Sequence, residues 1–161
     1  MFQEEMLLYG HWSYLKQLLQ NSLSATESSH DLAAKGKLKK ALGVVAHSQG
    51  DSAAARKFYH DSLDLAQAMG DRKLIASNLG NLGNLAQSQG DYETARKFHQ
   101  QSLHLAQAMR DRKLIASNLL SLGEVARMQG HYAEARKFYH DSLDLAQAMG
   151  DRQSIANILL N

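Results

Sequence analysis

The stretch "RKFYHDSLDLAQAMGDR" occupies residues 56–72 and returns, letter for letter, at residues 136–152. A catalytic site is not ordinarily written twice in one chain, whereas a structural unit stacked in series is. The spacing of eighty residues is two periods of forty. Gly50, Gly90 and Gly130 keep that period, with Gly10 continuing it backwards, and so do Gly43, Gly83 and Gly123 and then Asp71, Asp111 and Asp151. "DRKLIASNL" occurs at 71–79 and again at 111–119, so the register holds without an insertion.

Within one period the pattern is helical. Tyr92, Ala95, His99, Ser102, Ala106 and Met109 fall at steps of three and four, one small or apolar stripe widened by Phe98, Leu103 and Leu105. Leu74, Ile75, Leu79, Leu82, Leu85 and Ala86 form a second stripe in the preceding segment. No useful length alternates with period two, which argues against strands. "QGD" at 49–51 and 89–91 offers glycine for a left-handed helix end followed at once by an aspartate N-cap, and "MGDR" at 69–72 and 149–152 repeats that chemistry. Each period therefore reads as two helices of about seventeen residues joined by tight turns. Two departures stand out. Arg110 replaces the glycine found at 70 and 150, and His131 replaces the capping aspartate. Each substitution costs about 1 kcal/mol.

Composition agrees with an all-helical chain. Of 161 residues 44% are hydrophobic and 21% charged, with no proline and few aromatics. The absence of cysteine excludes disulfides and thiolate metal sites. A net charge of +2, evenly mixed, does not favour nucleic acid. The pairs Arg56-Lys57, Arg96-Lys97 and Arg136-Lys137 read as a solvated outer face rather than a phosphate-binding ladder. The opening "MFQEEMLLYG" lacks the basic start of a secretion signal, and no apolar run reaches the roughly 18–20 residues of a membrane span. The expectation is a cytoplasmic protein with no membrane association.

A search for chemistry finds no H-E-x-x-H, no histidine pair at i, i+4, no G-x-x-x-x-G-K-[ST] and no G-x-S-x-G. His60 and His140 belong to the copied stretch and read as surface or structural residues. No catalytic residue, metal or cofactor is expected.

The segment "LGNLGNLAQSQGDYETARKFHQQS" resembles the tetratricopeptide repeat motif. Leu79 takes the tryptophan place, Leu82-Gly83 match Leu-Gly, Ala86 stands for tyrosine, and Ala95 with His99 matches A-x3-F. The sister pairs are Ala55-Tyr59 and Ala135-Tyr139, and the motif proline is missing. The forty-residue period is similar to the long-repeat subclass of LGN/Pins polarity adaptors and kinesin light chain, and to repeat arrays of bacterial multidomain regulators. The resemblance implies an all-α, right-handed α-solenoid of stacked helix-turn-helix hairpins. The expected division is a partial hairpin over 1–30, full repeats over 31–70, 71–110 and 111–150, and a truncated helix over 151–161.

The resemblance further implies that the first helix of each hairpin lines a concave groove receiving a peptide or partner helix. The positions it places there are Lys37, Lys40, Val44 and His47, then Ser77, Asn81, Asn84 and Gln87, then Ser117, Ser121, Glu124 and Arg127. Asn81 and Asn84 carry most weight, because an amide can both donate to and accept from a peptide backbone. A two-lysine, two-asparagine carboxylate clamp is matched by Lys40 and Asn81 but not by Val44, Ser117 or Ser121. Lys35, Lys37, Lys39 and Lys40 make one end basic and favour an acidic partner. The expected function is a non-catalytic protein-interaction module. The alternative is a fragment of a larger bacterial signalling regulator, an ATPase-linked sensor or oligomerisation arm. Apolar residues near the ends, Phe2, Met6, Leu7 and Leu8 with Ile155, Ile158, Leu159 and Leu160, suggest self-association.

Overall fold

The computed structural model describes residues 2–27 and 31–151, with side chains over 12–26 and 31–151. Seven helices follow one another: α1 (Phe2–Glu27), α2 (Leu32–Ser48), α3 (Ser52–Met69), α4 (Arg72–Ser88), α5 (Tyr92–Met109), α6 (Arg112–Met128) and α7 (Tyr132–Met149). No strand occurs among the described residues.

Aspartate side chains start these helices. Asp31, Asp51, Asp71, Asp91 and Asp111 each accept from the backbone N–H three residues on, at 2.9–3.1 Å. His131 makes no such bond at the start of α7. Helix ends close through paired backbone bonds around a left-handed residue. At the first junction Asp51 N–H reaches Ala46 O at 2.9 Å and Gly50 N–H reaches His47 O, with Gly50 at φ 77°. Arg110 holds the same left-handed conformation at φ 55°, the one positive φ outside glycine among the described residues. Gly10 ends nothing: α1 runs unbroken through it, and His11 rather than a capping aspartate follows.

The hairpins are held by a repeated glycine–ring contact. A methyl group at Gly43 would lie 2.5 Å from Cε1 of Tyr59, and one at Gly123 would lie 2.5 Å from Cε1 of Tyr139. At Gly83 the facing ring is His99, whose Cε1 would be 2.6 Å away. Glycine is needed here for closeness of approach, since its backbone is ordinary helix. Ala55, Ala95 and Ala135 are buried one turn before each ring.

A second repeated device is polar. Ser62 Oγ donates to Gly36 O at 2.7 Å, and Ser142 Oγ donates to Ala116 O at 2.8 Å, each bond reaching back 26 residues. Asn78, fully buried, donates to Ser62 Oγ at 2.8 Å. Such bonds inside an apolar stack fix the register of one helix on the next, because a slip would orphan them.

The contacts divide the chain into two compact units, Met1–Asn81 and Leu82–Asn161, the boundary falling within α4. In the first unit α1 packs on α2 and α2 on α3, around Leu42, Val45, Ala46, Ala55, Tyr59 and Ala66. In the second, α6 packs on both α5 and α7, around Leu85, Ala95, Ala106, Leu122, Val125, Ala126 and Ala146. The side chains of Phe2, Met6, Leu7 and Leu8, and all of residues 152–161, lie outside the described residues.

Candidate interaction surface

On α2, steps of three and four place Lys37, Lys40, Val44 and His47 along one face. Lys37 and Val44 are exposed, Lys40 and His47 half-buried. Lys40 Nζ donates to Ser77 Oγ at 3.3 Å, tying α2 to the start of α4. Ser77 and Asn81 are half-buried on the same stretch of α4. Lys39 lies elsewhere: its Nζ meets Asp61 Oδ2 of α3 at 2.6 Å, so this lysine is committed to packing its own hairpin.

In the second unit Asn84 is exposed and Gln87 half-buried. With Ser88 and Met128 they line an open depression of about 280 Å³. Ser88 and Met128 were not expected from sequence. Met128 is 48% exposed where the preceding repeats carry Ser48 and Ser88, and that substitution is the signal that could have found it.

On α6, Ser117 and Arg127 are exposed while Ser121 and Glu124 are half-buried. Glu124 accepts from Arg127 Nη2 at 2.9 Å and from the Tyr139 hydroxyl at 2.7 Å. Burial disfavours its charge, yet the hydrogen bonds from Arg127 and Tyr139 outweigh that and hold the carboxyl below its ordinary range. Burial and the bond to Glu124 push the Tyr139 phenol up to about 12. Glu124 therefore balances the Arg127 charge, with each carboxylate oxygen already accepting one bond from its own unit.

The basic pairs do not share one environment. Arg56, Lys57, Arg136 and Lys137 are exposed, but Arg96 forks onto Glu134 with both nitrogens at 2.8 Å. Arg96 also donates to Gln129 at 3.2 Å, and Gln129 donates to Glu93 at 3.0 Å. This arginine links α5 to the first turn of α7, the helix that lacks an aspartate cap. The departure has a plain origin, since the residue at 134 is glutamate where position 54 has alanine and position 94 threonine.

Among the described residues no group of three or more His, Asp or Glu is placed to hold a metal ion. No helix among them is long and apolar enough to cross a membrane.

Helical hairpins in series, with small residues at their contacts and the polar faces of first helices left open, define an all-α solenoid of repeats. The tetratricopeptide repeat model matches residues 34–108 and 74–148, and the chain belongs to that family. Among solved structures, the chain is similar to BtubC (BKLC) from P. vanneervenii, with a TM-score of 0.78 and 18% identity over 89% of this chain. It spans 59% of that protein's length. It is also similar to the TPR domain of Arabidopsis FLU, with a TM-score of 0.68 and 20% identity, covering 73% of this chain and 98% of that one. At these identities the likeness is one of fold. No match was found among curated protein sequences. Repeats of this family are typically non-catalytic scaffolds for contacts between proteins.

Proposed function

We propose that the chain is a non-catalytic interaction module that binds a peptide or partner helix along the faces of its first helices, α2, α4 and α6. The observation that carries this reading is the open depression beside the Asn84 and Gln87 amides, since concave sites with a few convergent polar groups are where ligands lodge. Asn81, one turn earlier on α4, is the second amide able to pair with a peptide backbone. On α2, Lys37 and Lys40 with Val44 and His47 supply a basic, partly apolar stretch suited to an acidic partner. On α4 and α6, Ser77, Ser117, Ser121, Glu124 and Arg127 complete the set. Lys39 is removed from it by its ion pair with Asp61.

The same reading places the chain in the long-repeat subclass similar to LGN/Pins and kinesin light chain, with full repeats at 31–70, 71–110 and 111–150. It makes a cytoplasmic location and protein partners the working expectation, with nucleic acid and membrane outside it. Affinity capture with the intact chain, against an Asn81→Ala/Asn84→Ala variant of unchanged helicity, tests the surface. Loss of specific partners in the variant is the expected outcome. Equal recovery by both would remove α4 from the binding face.

A further inference from the structure

His99 stands where the sister hairpins carry Tyr59 and Tyr139, against the glycine that each ring covers. It is 1% exposed, and both ring nitrogens lack a hydrogen-bond partner. The other histidines with described side chains, His47, His60, His104, His131 and His140, are half-buried or exposed. From α4 the ring meets Gly83, where a methyl group would come within 2.6–2.9 Å of its Cε1, Nε2 and Nδ1. From α6 the Asn118 amide comes near the ring without completing a hydrogen bond to it, its own N–H donating to Leu114 O at 2.9 Å. Among the described residues no carboxylate is placed to balance a charge on it: Glu124 of α6 is held by Arg127 and Tyr139, and Glu134 of α7 by Arg96 of α5. An imidazolium in this position would be a desolvated cation with no counter-charge.

We propose that His99 is an acid-sensitive joint of the α4–α5 hairpin, packed only as neutral imidazole, so that acidification opens this hairpin ahead of its tyrosine-sealed sisters. Burial pushes the imidazole down to about 4, the Asn118 contact opposing this only in part. In the opened chain the ring titrates at its ordinary value near 6.5. A histidine lowered on folding contributes its full stability above that value and loses it as pH falls towards the folded one. Because each hairpin is held mainly by its neighbours, such an opening can be local rather than global.

Amide hydrogen exchange on the intact chain, expressed as protection factors so that intrinsic pH dependence cancels, tests the proposal. Between about pH 8 and about pH 5.5 the open population of the α4–α5 hairpin should rise about tenfold. Amides of α2 and α3, sealed by Tyr59, serve as the internal control and should not share the change. In His99→Tyr, the residue its sisters use, and in His99→Phe, the tenfold change should disappear. The proposal is overturned if α4–α5 protection follows α2–α3 across this range, or if either substituted chain loses protection as the parent does.

Discussion

Gly43 shows how much one missing methyl group controls. Its helix would be intrinsically better with alanine, by about 1 kcal/mol. Yet the added carbon would press to 2.5 and 2.6 Å on the Tyr59 ring, which is 1% exposed and has nowhere to move. Gly43→Ala should therefore destabilise the chain by about 1–3 kcal/mol, read from the urea midpoint at constant slope. An unchanged or raised midpoint would show that the ring contact is not what holds the hairpin. The glycine series and the small Ala55, Ala95 and Ala135 were legible in the sequence, because a forty-residue period exposes any position that must stay small. The buried amides of Asn78 and Asn118 were not. Both sit in the doubled "DRKLIASNL", but nothing in a sequence separates a buried asparagine from a solvated one until the partner helix is in place.

Helix junctions carry the next level. Asp111, Gly70 and Gly150 behave as a chain of caps and left-handed ends should, and Arg110 adopts the same conformation without being glycine. Nothing lies within 4 Å of where a Cβ would sit at Gly70 or Gly150, so the cost at Arg110 is conformational rather than steric crowding by neighbours. Arg110→Gly should raise stability by about 1 kcal/mol, visible as a higher thermal midpoint by circular dichroism. A lower midpoint would mean that the arginine side chain contributes more than its backbone costs. The pairing of Arg96 with Glu134 belongs to this level too. With its sister pairs at 56 and 136 Arg96 reads in the sequence as part of one solvated outer face, but a glutamate in the first turn of α7 captures it.

At the scale of the whole molecule, stacking is uneven. In α3 the stripe Ala55, Tyr59, Ser62, Leu63 and Ala66 is buried, whereas the register-equivalent Leu15, Leu19, Ser22, Leu23 and Thr26 of α1 are at best half-buried. Tyr14 is 68% and Leu18 48% exposed on the same helix. The single tryptophan, Trp12, lies on α1 and reports on it alone. Its fluorescence transition in denaturant should precede the helical transition followed by circular dichroism, as expected of a repeat array whose members melt with their own interfaces. Coincident transitions would show that α1 is as firmly held as α3.

The forty-residue period, its glycines and its aspartates determined by themselves that this chain is a series of helical hairpins, and where the helices from α2 to α7 start and stop, though not that α1 runs on through Gly10. Those features act locally, through caps, left-handed ends and close approach, so a linear reading suffices for them. Only the tertiary structure decided which polar residues were consumed by packing. Lys39, Arg96 and Glu124 look alike on paper as surface charges, but each found a partner contributed by a residue at least fifteen positions away. His99 is the sharpest case. Its place in the motif was readable, but the burial that lowers its pKa exists only once α4, α5 and α6 have closed around it.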